Sequence, residues 1–315
     1  MLDDVLGRVS ADPRLSQALV PLVRGYLRYF PVKAGKAFVW TRIAEPYLAW
    51  QPHPFRARTR FGFSLDGDSR DLIQQWIYYF GVWEPSLTAW IRHRLEPGDT
   101  FVDVGANIGY FALLAARTVG PSGRVVAIEA SPAIAERLRQ NVAKNHADNL
   151  RTKAAAALGS RGGVKLYRGN DANCGETTID AEYGGEFECE VEGYPLQELL
   201  TASELENARL IKIDAEGAEY AILSGFDGFD RLRRDTELIV EMHPSYLAHR
   251  GESVDGVLTV MANAGFAPYV LSEEYWPPAY LEGGGRRPSP RRYDGSPIED
   301  GTVLIFSRAN GAALE

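Results

Sequence analysis

Nine residues limit the architecture of this chain more than any others: Val102-Asp103-Val104-Gly105-Ala106-Asn107-Ile108-Gly109-Tyr110. The apolar run from Thr100 to Val104 ends at a glycine-containing turn, and the helical pattern Tyr110 to Thr118 begins at once. A strand that hands over to a helix so quickly is half of a βαβ unit, and such units build parallel sheets covered by helices on both faces. The rest of the chain repeats the alternation. Arg124 to Glu129 reads as a second buried strand, followed by Ser131 as N-cap and Pro132 at the first turn of a helix. Ile134, Leu138 and Val142 give that helix one apolar face. Further strands are predicted at Arg151 to Leu158, Leu210 to Asp214, Glu237 to Met242 and Thr302 to Phe306, with helices near 216–224 and 253–264. The expected fold class is α/β, a doubly wound and mostly parallel sheet.

The 315 residues suit one large domain with an appendage. Residues 1–95 are expected to be a helical N-terminal cap or lead-in, and 96–315 the α/β domain. Within the first part, Pro31, Pro46, Pro52 and Pro54 break helical segments. Thr59 to Leu65 reads as a strand before a turn at Asp66-Gly67-Asp68, and residues 70–95 read as helix interrupted near Gly81 and Pro85. The glycines at 162, 163, 169, 184 and 185 punctuate short strands, Val164 to Tyr167 and Phe187 to Val191, and predict an antiparallel insertion over about 159–194. The stretch 273–300, rich in proline, glycine and arginine, is expected to be one long loop.

Bulk properties exclude several classes. A net charge of −8 disfavours nucleic acid, whose binding rests on phosphate neutralisation. The acids of the N-terminus do not resemble a signal peptide, and no run of about 18 apolar residues is present, so a cytoplasmic chain without membrane insertion is expected. The amphipathic stretch Leu15 to Phe30 is expected to pack on the chain's own core rather than on a bilayer. Cys174 and Cys189 fit no metal or redox spacing and are expected to be reduced thiols. Oligomeric state is left open, a homodimer included.

In a doubly wound sheet, ligands bind at the carboxyl ends of the strands. A dinucleotide site there needs G-x-G-x-x-G, but counting from Gly105 the second position is Asn107 and the third Tyr110. Those glycines exist to admit a pyrophosphate against the backbone. The turn therefore suits an adenosyl ligand without phosphates, and Asp103 would repel a pyrophosphate while favouring the cationic ammonium of S-adenosylmethionine. Glu129, at the end of the next strand, is placed to accept hydrogen bonds from ribose hydroxyls. Asp103, Gly105, Ala106, Asn107, Gly109 and Glu129 are the expected cofactor-binding residues.

A second group of acids lies in Leu210-Ile211-Lys212-Ile213-Asp214-Ala215-Glu216-Gly217-Ala218-Glu219, where a strand runs into Asp214 and the next turn carries Glu216 and Glu219. For Glu219 a helix-start role is an equal reading. With VDVGANIGYF at 102–111, AIEAS at 127–131, IKIDAEGAE at 211–219 and the lead-in Gly81-Val82-Trp83-Glu84-Pro85, the sequence resembles the FkbM-type methyltransferases from about Gly81 to Gly265. The resemblance implies a class I methyltransferase fold of seven strands with one antiparallel. It implies S-adenosylmethionine as donor, S-adenosylhomocysteine as product, and usually O-methylation of sugar or polyketide hydroxyls in secondary metabolism.

Alignment of an oxygen behind the methyl can contribute roughly 7–11 kcal/mol, and a base typically 10²–10⁴-fold. His243, in Glu241-Met242-His243-Pro244, is the first choice of base because a histidine titrates near neutrality, and Asp214 is the second. Asp214, Glu241 and His243 could gather Mg²⁺, but no dense metal motif supports it and no metal is preferred. Tyr79, Phe80, Trp83, Tyr110, Tyr275 and Trp276 are candidates for an acceptor pocket on position alone. Three alternatives remain. An N-methyltransferase would hold an amine with acids and need no base, a nicotinamide-dependent oxidoreductase would bind a dinucleotide, and a non-catalytic adenosyl-binding module would leave its crevice otherwise empty.

Overall fold

The computed structural model describes residues 12–32, 34–51, 53–168, 177–179, 181–182, 185–282 and 289–309. The strands are β1 Pro54–Arg58, β2 Ser64–Asp68, β3 Thr100–Val104, β4 Arg124–Glu129, β5 Leu150–Ala154, β6 Ala156–Leu158, β7 Gly162–Arg168, β8 Thr177–Thr178, β9 Glu186–Pro195, β10 Ala208–Ile213, β11 Glu237–Met242, β12 Ala267–Leu271, β13 Arg291–Arg292 and β14 Thr302–Ser307. The large sheet runs β13-β12-β14-β11-β10-β3-β4-β5. β3 pairs in parallel with β4 and with β10, and β10 in parallel with β11. β14 is antiparallel to both neighbours, β11 and β12. The chain leaves β3 toward β4 and β5, then returns to its other side at β10. That reversal of winding is the switch point at which such sheets open a crevice.

This is the class I methyltransferase architecture, with one difference from the expected seven strands. The two-residue β13 adds an eighth and is antiparallel to β12. Strand side chains alternate between two cores. Phe101, Val125, Ala127, Leu210 and Ile239 face one layer, with the helices Tyr110–Val119 and Pro132–Lys144 and the N-terminal residues Leu27, Trp40 and Phe80. Val102, Val104, Val126, Ile211 and Val240 face the other, with the helices Glu219–Ser224 and Val254–Asn263. Ser131 caps its helix as expected, its Oγ accepting from the Ile134 N–H at 3.3 Å.

Several boundaries moved for physical reasons. Of the expected strand Thr59 to Leu65, residues 59–63 form the turn of a hairpin with Gly62 at φ +88°, and Ser64 and Leu65 begin β2, antiparallel to β1. Gly67 lies inside β2 because a Cβ there would stand 2.7 Å from Gln74 Oε1 and 2.9 Å from Phe55, so this glycine serves packing rather than a turn. The predicted strand Arg151 to Leu158 divides at Ala155, where the chain passes from the large sheet into the four-stranded insertion β6-β9-β7-β8. β7 and β9 are antiparallel there, as expected. Helix near 216 starts only at Glu219, because Glu216 (φ 47°) and Gly217 (φ 100°) occupy left-handed conformations. The sequence reading misses β12, a short apolar strand that carries Pro268. Pro268 is tolerated because β13 pairs only with Tyr269 and Val270. The supposed long loop contains the helix Pro277–Glu282 besides β13.

The first 95 residues hold more than helix. Helix Pro13–Tyr29, a π-helical stretch Trp40–Ala49 and the β1–β2 hairpin precede helices Leu72–Phe80 and Pro85–Arg94. The amphipathic helix packs Val20 and Leu27 into the core, and also exposes Leu15, Leu22 and Tyr29. Trp40 is fully buried against Phe80, Tyr79 and Trp76, at ring-centroid distances of 4.7, 5.3 and 6.1 Å. No helix among the described residues is long and apolar enough to cross a membrane. Cys189 is a half-buried free thiol, and Cys174 lies outside the described residues.

Replacing Trp40 removes the hub of that aromatic layer. Trp40→Ala is expected to cost about 3–5 kcal/mol in urea unfolding followed by circular dichroism, and a loss under about 1 kcal/mol would show that this layer is not cooperative with the sheet.

Candidate active site

The carboxyl ends of β3, β4 and β10 enclose a cleft of about 740 Å³, including its open mouth. Gly105, Asn107, Glu129, Asp214 and Glu216 line it, with Ala155, Ala156, Ala157, Leu166 and Ile179 as apolar wall. Gly105 is obligatory: its φ is +77°, and a Cβ would sit 1.7 Å from the Asp214 carbonyl oxygen. The N–H groups of Gly105 and Ala106 both donate to the Ile128 carbonyl at 3.0 Å, which folds the turn back over β4. Asn107 takes the left-handed conformation (φ 48°), which asparagine tolerates better than most residues.

Glu129 is buried, yet its carboxylate opens on the cleft. Oε2 accepts from the Asn107 N–H at 2.9 Å and Oε1 from the Ser131 N–H at 3.0 Å. Burial pushes its carboxyl up to about 7, with those backbone donors pulling the other way. The two backbone donors fix the carboxylate and leave each oxygen a further lone pair.

The other residues expected at this site have different placements. Ala106 is buried in the core beneath the turn, and its carbonyl accepts from the Gly109 N–H at 2.9 Å. Gly109 (φ +96°) opens helix Tyr110–Val119, and a Cβ there would meet Leu138 at 2.6 Å. Asp103 does not line the cleft. It is buried below the turn, 1% exposed, and among the described residues no side chain donates a hydrogen bond to its carboxylate. Burial pushes it up to about 6 against the pull of Lys212.

Asp214 and Glu216 also line a second, adjoining cavity of about 1210 Å³ with its mouth. Glu84, Glu241 and His243 share its wall, with Trp76, Trp83, Tyr246 and Tyr275 as aromatic neighbours. His243 ends β11 and stands at the N-cap of the helix Pro244–His249. Its Nδ1 lies 3.5 Å from Glu216 Oε2 and its Nε2 3.7 Å from Glu241 Oε1. Glu219 does not reach the cavity. Fully buried, it accepts from the Ala215 and Gly217 N–H groups and so ties down the 214–218 turn. Among the described residues, Asp214, Glu216 and His243 form one group whose ligand atoms lie within 4.8 Å of one another, with Glu216 in the place that the sequence gave Glu241.

Three contributors escaped the sequence reading. Lys212 is 2% exposed, and its Nζ donates to Asp214 Oδ2 at 2.8 Å. Burial alone would depress its ammonium, but Asp214, Asp103, Glu241 and Glu84 outweigh this and hold it above the ordinary lysine value. Glu84, in a left-handed conformation (φ 39°), accepts from the Tyr275 hydroxyl at 2.7 Å, and burial pushes it up to about 8. Glu273 accepts from the Leu87 N–H at 2.9 Å and so fastens the segment after β12 to the start of helix Pro85–Arg94. A lysine inside an apolar strand was the available signal for Lys212. Glu84 and Glu273 are 189 residues apart, and nothing local joins them.

The FkbM methyltransferase domain matches residues 103–268, more than half of the chain. Among curated proteins, methyltransferase sdnD of Sordaria araneosa is 30% identical over 161 residues, 42% of this chain and 62% of that protein. An arsenite methyltransferase of Halobacterium salinarum is 41% identical over 56 residues, 18% of this chain and 14% of that protein. The chain therefore spans less than two thirds of the length of both. Among solved structures, a methyltransferase FkbM from Methylobacillus flagellatus is 15% identical, with 68% of this chain and 44% of that one covered and a TM-score of 0.41.

Removing Lys212 should leave the acids around it uncompensated. Lys212→Met is expected to cost about 3–5 kcal/mol at pH 8 in urea unfolding. The deficit should shrink as pH falls, because carboxyls raised in the folded state bind protons there before they do in the unfolded chain. A deficit that grows toward low pH would contradict this account.

Proposed function

The chain belongs to the FkbM methyltransferase family, and from that premise we propose that it is an S-adenosylmethionine-dependent O-methyltransferase acting on a small-molecule hydroxyl, of sugar or polyketide type, in secondary metabolism. The observation that carries the reading is the adjacency of the two cavities, which share Ile73, Asp214 and Glu216. One suits a nucleoside donor and the other a neutral or cationic acceptor.

The donor cleft fits this group by its chemistry. No lysine or arginine lines it among the described residues, while Glu129, Asp214 and Glu216 do. A pyrophosphate would find three carboxylates and no cation, which disfavours a nicotinamide cofactor. Glu129 accepts from ribose hydroxyls, Gly105 and Asn107 present backbone without obstruction, and Ala155 to Ala157 with Leu166 and Ile179 form the apolar wall. Asp103, beneath the turn, lends negative potential to a cationic ligand. When bound, the cofactor supplies a methyl group on a sulfonium, already electrophilic.

The chain must then hold a hydroxyl in line and remove one proton. His243 accepts that proton at Nε2, which has no hydrogen-bond partner among the described residues, while Nδ1 faces Glu216 at 3.5 Å. Asp214 is the poorer base, because its Oδ2 already accepts from Lys212. It serves instead as the wall common to donor and acceptor. Residues 1–95 act as a cap that excludes water from the acceptor side, and 96–315 form the methyltransferase domain. No metal is required by this scheme.

The direct test is a co-crystal with S-adenosylhomocysteine, expected to place the nucleoside against Gly105 and Glu129; an occupant elsewhere overturns the assignment. His243→Ala should lower turnover by about 10²-fold on any hydroxyl the wild type methylates, with S-adenosylhomocysteine affinity kept. Unchanged turnover removes His243 from the mechanism. Calorimetry should show that affinity rising with pH through about 7, as the Glu129 carboxyl ionises and gains acceptor strength. Glu129→Gln should bind more weakly and flatten that profile. Dialysis against EDTA should leave turnover intact; loss restored by Mg²⁺ would place a cation on Asp214, Glu216 and His243.

A further inference from the structure

We propose that Glu84 and Glu241 form an ammonium subsite in the acceptor cavity, so that the molecule methylated on a hydroxyl also carries a protonated amine. This rests on the methyl-transfer reading above and narrows its acceptor to amino alcohols and amino sugars.

The charges around the cavity do not balance. Glu84, Asp214, Glu216, Glu241 and Asp300 line it, with no lysine or arginine among the described residues. Lys212, behind the wall, is engaged with Asp214. Glu84 is 3% exposed, and its Oε2 is buried without a hydrogen-bond partner among the described residues although Oε1 accepts from Tyr275. An unpaired carboxyl oxygen buried beside a cavity is costly, and a bound cation would both complete it and favour its ionised form. Glu241 is only 14% exposed in its side chain, has carboxylate neighbours, and is raised by burial and then by Asp214 and Glu84. A cation between Glu84 and Glu241 relieves both, whereas a neutral hydroxyl would leave the repulsion in place. Trp76, Trp83, Tyr246 and Tyr275 complete the enclosure with faces that attract an ammonium.

Glu84, Glu241 and His243 line the second cavity and are absent from the wall of the first, and saturation with S-adenosylhomocysteine in the test below puts the donor's own ammonium in place before any amine is added. An ammonium held between carboxylates keeps its proton and has no lone pair, so it cannot be the nucleophile. It orients the acceptor, and the hydroxyl presented to His243 reacts: the oxygen–carbon bond forms as the carbon–sulfur bond breaks, with the hydroxyl proton passing to His243.

The test uses the full chain in phosphate buffer. S-adenosylhomocysteine is titrated first, and failure to bind sinks the methyl-transfer reading and this inference with it. The saturated protein is then titrated with two matched pairs, D-glucosamine against D-glucose and tyramine against 4-(2-hydroxyethyl)phenol. At least one amine should bind about 10-fold or more tightly than its hydroxyl counterpart, as expected for a desolvated charge pair. Glu84→Gln and Glu241→Gln should each reduce that preference to about 3-fold or less while S-adenosylhomocysteine affinity is kept. Glu84→Gln mimics the protonated side chain and should fold, so the result does not hinge on Glu241→Gln. Equal binding within both pairs, no binding by any of the four, or a preference that survives both substitutions overturns the subsite.

Discussion

The buried ammonium of Lys212 holds the carboxyl ends of the central strands together. Lys212 stands on β10 directly beside Asp103 on β3, at the point where the winding of the sheet reverses. Its Nζ bonds Asp214, lies 5.2 Å from the Phe111 ring, and faces Glu84 and Glu241 across the sheet ends. Four buried or half-buried acids at one crevice would repel one another without it. With it, they are kept close, short of one full set of positive charge. That shortfall is the ground on which a cationic guest is proposed for each cavity.

The enclosure around this charge is built from remote parts of the chain. Helix Leu72–Phe80 and the turn at Trp83 and Glu84 come from the N-terminal region, while Tyr275 and Tyr280 come from the segment after β12. Trp76 meets Tyr280 at 4.3 Å, and Arg60 donates to the Tyr280 carbonyl at 3.0 Å. The insertion approaches from the other side, where Thr178 Oγ1 donates to the Glu216 carbonyl at 3.0 Å and Leu166 walls the donor cleft. Apolar cover lowers the local dielectric, which strengthens every charge interaction inside and raises the carboxyls that lack a partner.

Legibility from sequence followed the range of the interactions. β4 and β11 and the capped helix after Ser131 were readable to the residue, because alternation, caps and breakers are local. β12 was not, since its proline is acceptable only where the flanking strand leaves it unpaired. Gly67 was read as a turn for the same reason: a glycine needed for close packing against Phe55 and Gln74 looks the same in sequence as one needed for a positive φ. At the site, Gly105, Asn107 and Glu129 were legible because a ligand turn and the acid after it lie within 25 residues. Asp103 was legible as an acid at that turn, but its burial beneath the turn was not.

The sequence by itself determined the alternation of strand and helix and the order of acid, turn, helix, strand and acid. These follow from residue types acting over one or two elements, where hydrogen bonding and steric limits decide. Only the tertiary structure decided that Lys212 compensates the acids, that Glu219 is a structural tie, and that Glu84 and Glu241 share a cavity with His243. Burial and electrostatic coupling depend on distances through space between residues far apart in the chain, and no local pattern encodes them.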